Sequence, residues 1–383
     1  MKKYYAIILL LLAFSCREKY VPPVVAPAGG YLVVEGNINS GNAPTTIVLS
    51  RTNSLSETTK IYEEDAKVLI EGNDNSSYTL PQTLSGYYTL DNLILDNNKT
   101  YRLHITTKEG KEYISSFVQV KQTPPIDSIS WIKETEGVRM YINAHDATGN
   151  TRYYLWNYDE TWEYHSAYIS LLTYNDKNPN KPTIRYIDSV TLGPIEEIMV
   201  CWNSRSSTSL LLGSTAKLTE DKVFLPINFI ANASKEMSVL YSINVKQFAL
   251  SKDAYEYLEK MRKNTEGTGS IFDPQPSSLR GNISCVNNPD EIVIGYVNAS
   301  SVVDKRKFIA AHELGDWGYR TGCEEFTVEN KPDSVKKAYD MLLYPTDIAS
   351  SLGPNIISFH VTRSKACFDC TTSGTNIKPT FWP

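Results

Sequence analysis

The sequence predicts a mainly β protein, in which an immunoglobulin-like or transthyretin-like β-sandwich precedes a larger β-rich domain of the α+β class. Three observations lead to this prediction. Short segments of alternating apolar and polar residues recur at regular intervals through residues 31–122, as the strands of a sandwich do. The chain contains 25 tyrosines and 6 tryptophans, which are residue types enriched in sheets. Only two later segments have the apolar spacing of a helix.

The first domain is predicted to span residues 31–122 and to contain about seven strands. Turn-forming residues separate the alternating segments, and the Thr-Lys-Glu-Gly sequence at residues 107–110 is the best candidate for a hairpin turn. We assign the strands to residues 31–36, 46–50, 66–71, 78–80, 86–90, 100–105 and 111–120.

The second domain is predicted to span residues 123–383 and to contain one or two helices. Pro124 and Pro125 mark its start, because consecutive prolines interrupt hydrogen-bonded ladders. Residues 251–264 form the clearest helix, with Ser251 as its N-cap and apolar residues on one face. A second, shorter helix is expected at residues 333–343.

An aromatic alternation begins at residue 153 and provides the candidate ligand-binding residues. Trp156, Tyr158, Trp162 and Tyr164 occupy even positions, and either one long strand or a bulged hairpin would place them on one face. Such a face can serve as a stacking platform for a peptide or a glycan. The same alternation is also that of any half-buried strand, whose apolar side faces the core. The sequence leaves both interpretations open, and the core is the commoner outcome.

Apart from Cys16 in the N-terminal segment, which resembles an export signal and is described below, the chain has five cysteines. We expect one or two disulfides among these five, because export permits disulfide formation. The candidates are Cys201, Cys285, Cys323, Cys367 and Cys370. We expect Cys201 to lie near Cys285 and Cys323 to reach one of the two C-terminal cysteines. The Cys-x-x-Cys spacing at the C-terminus also resembles half of a zinc site or a redox pair. No second ligand pair and no thioredoxin-like pattern accompany it, so we expect no metal.

The first residues resemble a bacterial lipoprotein signal. Lys2 and Lys3 precede an apolar run over residues 4–14, which is too short to span a bilayer, and Cys16 follows a small residue. We predict a signal peptide at residues 1–15, lipidation of Cys16 and a lipidated tether at residues 16–30, stiffened by prolines. Two or more acyl chains would hold the protein stably on a membrane. An ordinary secretory signal with an incidental cysteine is the alternative.

Composition and motifs exclude several classes of function. The net charge of −5, without a basic block, argues against nucleic acid as a ligand. The sequence has no phosphate-binding glycine loop and no Gly-x-Ser-x-Gly nucleophile elbow. His312 and Glu313 resemble the start of a zinc-protease helix, but Asp316 stands where its second histidine belongs. We therefore expect neither a cofactor nor an enzymatic activity.

Motifs spread along most of the chain resemble Bacteroidota outer-membrane lipoproteins of domain-of-unknown-function family 4249. None of the motifs is specific alone, and the resemblance lies in their order. They are the Cys16 lipobox, Pro124-Pro125, Tyr154-Leu155-Trp156, Thr161-Trp162-Glu163, Cys201-Trp202, Gly295-Tyr296-Val297-Asn298 and Cys367-Phe368-Asp369-Cys370.

This resemblance implies a location and a class of partner. Genes of the family commonly lie near TonB-dependent outer-membrane receptors, which implies a non-enzymatic accessory protein that captures a ligand for such a receptor barrel or docks onto it. We expect a lipid anchor in the outer membrane, on the cell surface rather than the periplasmic face, because the charged residues at 17–19 resemble the surface-export signal of these lipoproteins. The alternatives are a structural or assembly subunit that binds no small ligand and, third, a surface hydrolase.

The lipid prediction is testable by replacing the acylated thiol. Cys16→Ala should abolish incorporation of radioactive palmitate, because no other residue of the signal offers the thiol that is acylated. Cys285→Ala is the matched control and should be labelled like the wild type. Labelling of Cys16→Ala at the wild-type level would contradict the predicted anchor.

Overall fold

The structure is a computed structural model that describes residues 30–53, 57, 59–187, 196–266 and 280–383. The predicted signal peptide at residues 1–15, Cys16 and all of the predicted tether except residue 30 lie outside these residues. The predicted mainly β class is confirmed. Among the described residues, no helix has the length and apolarity needed to cross a bilayer.

The first part of the chain folds into short strands whose apolar sides meet in one core. Residues buried there alternate along the strands, as in Thr100–Thr106, so each strand has one core face and one outer face. The strands are β1 (Leu32–Gly36), β2 (Ile38–Asn39), β3 (Thr45–Arg51), β4 (Ile61–Tyr62), β5 (Lys67–Gly72), β6 (Ser77–Leu80), β7 (Gln82–Leu84), β8 (Tyr87–Leu90), β9 (Thr100–Thr106), β10 (Glu112–Ser115) and β11 (Val118–Gln119). The hairpin turn predicted at residues 107–110 joins β9 to β10, and Thr107 N donates to Lys111 O at 2.9 Å.

The chain from residue 126 onward forms the second part of the fold and also adds strands to the sheets of the first part. Its elements are β12 (Ile126–Lys133), β13 (Gly137–His145), β14 (Tyr153–His165), β15 (Leu172–Asn175), β16 (Thr183–Tyr186), α1 (Glu196–Met199), β17 (Val200–Ser206), β18 (Leu211–Ser214), β19 (Lys222–Ala231), β20 (Leu240–Ala249), α2 (Lys252–Glu266), β21 (Ile283–Cys285), β22 (Val293–Ile294), β23 (Ala299–Ser300), β24 (Val302–Ala310), β25 (Glu325–Glu329), α3 (Pro332–Asp340), β26 (Tyr344–Leu352) and β27 (Asn355–Thr362).

The first sandwich is completed by two strands that the sequence prediction placed in the second domain. One sheet has the order β22-β1-β3-β8-β7 with β4 beside β3, and the other has the order β21-β10-β9-β5-β6 with β11 beside β9. In these sheets Val293 pairs with Leu32, and Cys285 pairs with Tyr113. The predicted boundary at residue 122 therefore does not enclose the whole sandwich. Alternation within a strand indicates which face is buried, but it does not identify a partner so distant in sequence.

The second sandwich packs the sheet β12-β13-β19 against the sheet β17-β14-β20-β24, in which β18 also pairs with β14. Its core includes the fully buried side chains of Tyr154, Trp156 and Tyr241. A smaller unit combines the hairpin β15-β16, the sheet β25-β27-β26 and α3 around Phe359 and Val361. The predicted second domain thus contains two separate hydrophobic cores.

Helix α2 lies between the two sandwiches and begins as predicted. Ser251 Oγ accepts a hydrogen bond from Ala254 N at 3.1 Å, which caps the first turn. The hydroxyl of Tyr257 accepts a hydrogen bond from Gly295 N at 2.8 Å, so the helix is tied to the first sandwich. Tyr257 is the buried tyrosine of this helix, and Tyr255 is only half-buried.

The two sandwiches share a hydrogen-bonded stretch of backbone, which we call the junction segment (residues 297–302). Within it, β23 pairs in parallel with β2, with Ile38 opposite Ala299 and Asn39 opposite Ser300. Ile38 N donates to Asn298 O at 2.9 Å. The same backbone then continues as β24 of the second sandwich. One continuous strand path therefore enters both bodies.

The linker that leads from β11 to β12 is bonded to the other side of the junction segment. Lys121 N donates to Ala299 O at 2.9 Å, and Ser301 N donates to Lys121 O at 3.0 Å. Thr123 N donates to Ser301 Oγ at 2.9 Å, and Thr123 Oγ1 accepts from Ala249 N at 3.0 Å. The junction segment is thus bonded on both edges, which fixes how the sandwiches sit against each other.

A buried asparagine adds side-chain bonds to this junction. Asn298 Nδ2 donates to Asn37 Oδ1 at 2.9 Å and to Ala249 O at 3.0 Å, while its Oδ1 accepts from Ser251 N at 3.2 Å. One amide therefore joins the first sandwich, the end of β20 and the start of α2. Leaving such buried groups without partners costs about 1–3 kcal/mol each.

The two disulfides attach C-terminal cysteines to earlier parts of the chain, and one of them reaches the second sandwich. Cys323 bonds to Cys367, which confirms the prediction that it reaches a C-terminal cysteine. The expected proximity of Cys201 to Cys285 is wrong, because Cys201 bonds to Cys370 instead. Cys285 is a free thiol buried in the core of the first sandwich, whereas Cys201 lies in the core of the second.

The completion of the first sandwich depends on a close backbone approach at Gly281. A Cβ added there would lie 1.6 Å from Gly295 O. Gly281→Ala should lower the free energy of unfolding by about 3 kcal/mol, because the neighbouring strand must move. Gly110→Ala is the matched control: its added Cβ meets nothing within 4 Å, and its backbone costs only about 1 kcal/mol. Urea unfolding followed by circular dichroism measures both. Equal losses would contradict the close approach.

Candidate functional site: a cleft between the two sandwiches

The predicted aromatic residues share one face of β14, but that face is buried. Trp156, Trp162 and Tyr164 are 1%, 6% and 4% exposed and pack in the core between the two sheets. Tyr158 is half-buried, and its hydroxyl donates to Asn228 Oδ1 at 3.0 Å. The interpretation as an exposed ligand platform is therefore wrong, and the core interpretation is right, because the sheet β12-β13-β19 covers this face.

The opposite face of the same sheet forms the floor of a cleft of about 650 Å³, a volume within the usual range for small-molecule sites. Neighbouring strands place Leu155 of β14, Phe248 of β20 and Val302 of β24 in one row. The next row contains Asn157, Lys246 and Asp304. The floor therefore changes from apolar to polar along the strands.

The walls of the cleft come from the first sandwich and from α2. Val33 of β1 pairs with Ile294 of β22, and both side chains line the cleft. Leu258 and Met261 of α2 line it from the helix. Because each side belongs to a different body, the cleft exists only while the junction holds the two sandwiches together.

Two of the three charged side chains that line the cleft have ion-pair partners within the described part of the chain, and Asp304 has none. Lys246 Nζ lies 3.0 Å from Asp159 Oδ2. Burial alone would raise the pKa of Asp159, but hydrogen bonds from Ser206 and Lys246 outweigh it and hold this pKa below its ordinary value. On the opposite wall, Glu35 pairs with Lys60.

The side chains that line the cleft can contact a ligand through apolar surface and through charge. The described lining contains no histidine, cysteine or serine, and the described chain brings together no group of three or more possible metal ligands. Most lining side chains are aliphatic or aromatic, and the polar ones include four asparagines and the charged Glu35, Lys246 and Asp304. Such a combination suits the binding of a partly apolar molecule.

The cleft residues cannot be recognised from the sequence alone, because they come from separate strands. Leu155, Phe248 and Val302 come from three strands, and they become neighbours only through the pairing register of the sheet. One apolar residue at an otherwise polar position, Leu155 in β14, is the only local signal. Without the pairing register, the sequence does not show that Leu155 lies beside Phe248 and Val302.

A second exposed surface lies on the other side of the second sandwich, on the outer face of the sheet β12-β13-β19. We call it the aromatic face (Ile132, Arg139, Tyr141, Phe224 and Phe229). Tyr141 and Phe224 stack with ring centroids 4.6 Å apart, and the Arg139 guanidinium lies 4.8 Å from the Phe229 ring centroid. Phe224 is 58% exposed. Exposed apolar groups gathered in this way commonly mark interaction surfaces.

A family model and three solved structures resemble the chain. The model described as "Domain of unknown function (DUF4249)" matches residues 17–306. No curated protein matches. One solved structure is a DUF4785 family protein from Legionella pneumophila subsp. pneumophila, which is 10% identical over 56% of this chain and 51% of that chain, with a TM-score of 0.19. The chain thus spans about half the length of that protein.

The two other structures are equally distant. The first is described as manganese lipoxygenase of Gaeumannomyces graminis with zonadhesin of Komagataella pastoris, at 12% identity, coverage of 60% of this chain and 91% of that chain, and a TM-score of 0.18. The second is CBD12 from CALX1.2, at 9% identity, coverage of 71% and 98%, and a TM-score of 0.16. TM-scores this low support no argument about fold or function.

The cleft can be tested with a neutral fluorescent apolar probe, phenylnaphthylamine. Its fluorescence should rise on binding, and Leu258→Trp should weaken its affinity by about tenfold or more, because the indole fills the space between helix and floor. Leu218→Trp adds the same ring at a side chain that is 54% exposed and away from the cleft. Equal binding by the wild type and both variants would contradict an accessible cleft.

Proposed function

The chain belongs to the DUF4249 family, and from this premise we propose that it is a non-enzymatic accessory lipoprotein of the outer membrane, which captures a ligand in the cleft for a TonB-dependent receptor. The lipid on Cys16 anchors it, and the tether at residues 16–30 lets the sandwiches stand away from the bilayer. The protein faces the cell surface, where a receptor barrel takes up its ligand.

The observation that carries the proposal is the cleft of about 650 Å³ between the sandwiches. Its apolar floor and polar rim suit a molecule with both kinds of surface. The junction bonds hold the two walls in place before any ligand arrives, so little ordering is needed on binding. These features favour capture over a purely structural role.

The aromatic face supports the docking part of the proposal. It covers the sheet β12-β13-β19, whereas the cleft lies on the outer side of the opposite sheet. A protein partner can therefore contact the aromatic face without closing the cleft. The same face also favours the second candidate function, a subunit that assembles an outer-membrane complex and binds no small ligand.

A pull-down from the native outer membrane in mild detergent tests the receptor partnership. The tagged lipoprotein should recover a receptor barrel in near-equal amount, identified by mass spectrometry. The double variant Phe224→Ser, Phe229→Ser should lose most of it, because exposed aromatic side chains contribute strongly to protein interfaces. Leu258→Trp, which changes only the cleft, should keep the barrel. Recovery of the lipoprotein alone would contradict a stable receptor partnership.

A further inference from the structure

We propose that the cleft selects a ligand with an ammonium or guanidinium group on an apolar body, and that Asp304 binds this cation at the rim. The inference rests on the proposed function, because it assigns a ligand class to the same cleft.

Asp304 is the unpaired acid of the cleft, and we call its side chain the rim carboxylate. It is exposed and lines the cleft two residues beyond Val302, on the same side of β24. It forms no hydrogen bond or ion pair with any side chain in the described ranges. A carboxylate at the end of an apolar floor is placed to bind a cation whose remainder lies on that floor.

The nearby cations already have other partners. Lys246 lies opposite the rim carboxylate in the sheet, but its ammonium group is 3.0 Å from Asp159 Oδ2. Arg306 follows on the same strand, but its guanidinium lies 3.6 Å from the Phe381 ring centroid and donates to Ser242 Oγ at 2.9 Å. Arg306 attracts the rim carboxylate through space, but neither cation lies within ion-pair distance of it, so its oxygens remain open to a ligand.

The rest of the lining also favours a cation over an anion. Tyr257 and Tyr296 line the cleft with ring centroids 5.6 Å apart, and aromatic rings attract cations through their faces. Asn157 is exposed in the same row as the rim carboxylate and offers an amide oxygen that can accept a hydrogen bond. The net charge of −5 adds a weak attraction at longer range.

The apolar body of the ligand would lie on Leu155, Phe248 and Val302 and under the helix side chains of Leu258 and Met261. An alkylamine and the amino terminus of an apolar peptide share this chemistry. The arms of the experiment separate these two sources.

The test uses the lipid-free chain from residue 20, which keeps every described residue of both sandwiches, exported behind a cleavable secretory signal. Decylammonium, decanoate and decanol compete with phenylnaphthylamine below their micelle concentrations. Decylammonium should compete about fivefold better than decanoate, as expected for one partly exposed charge pair. A short leucine-rich peptide with a free amino terminus is compared with its acetylated form.

The variants identify the group responsible. Asp304→Asn should remove the preference for decylammonium and leave decanol unchanged. Asp333→Asn, an equally exposed acid in α3 and outside the cleft, should retain the preference. If the free-amine peptide competes better than its acetylated form, the amino terminus of a peptide is the source of the cation, and if only the alkylamine competes, the source is a lipid-like amine.

The remaining outcomes are separable. Equal competition by all three decyl compounds, blocked by Leu258→Trp, would overturn the selection of a cation and leave capture in the cleft intact. A preference that survives Asp304→Asn would overturn the role of this residue. Failure of every probe, phenylnaphthylamine included, would overturn this inference together with capture in the cleft.

Discussion

The junction segment is the constraint on which the rest of the molecule depends. Its backbone is bonded on one edge to β2 of the first sandwich and on the other edge to the linker at Lys121, and it then becomes β24 of the second sandwich. A flexible linker between two domains would let them move independently. Here the shared backbone hydrogen bonds and the side chain of the buried Asn298 fix the position of one sandwich relative to the other.

The cleft follows from this constraint. One side of the sheet β17-β14-β20-β24 packs into the core of the second sandwich, which is why the aromatic residues at even positions of β14 are buried. The other side is open near β1 and α2, where Leu155, Phe248 and Val302 form the floor of the cleft. At the far end of this side, Trp382 packs on Phe308 and donates to Glu163 Oε2 at 2.9 Å. The outer face is thus covered at one end and open at the other.

The fold was predictable where the information is local. Alternation in residues 100–105 located β9, Ser251 located the start of α2, and the even aromatic positions correctly indicated one shared face of β14. The errors concern contacts between distant segments. Cys201 has the same local character whether it pairs with Cys285 or with Cys370, and the choice depends on which core each cysteine enters. The cleft is likewise a product of register and domain placement, which no single segment encodes.

Amide hydrogen exchange at the junction tests the central claim, that the two sandwiches form one unit with the cleft between them. The amides of Ile38, Lys121 and Ser301 are bonded within the junction. These amides should exchange as slowly as those in the middle of β9 and β20, within about tenfold, because they open only when a sandwich unfolds. Rapid exchange at these three amides, with both sandwich cores still protected, would show that the sandwiches separate freely and would contradict a cleft formed in advance.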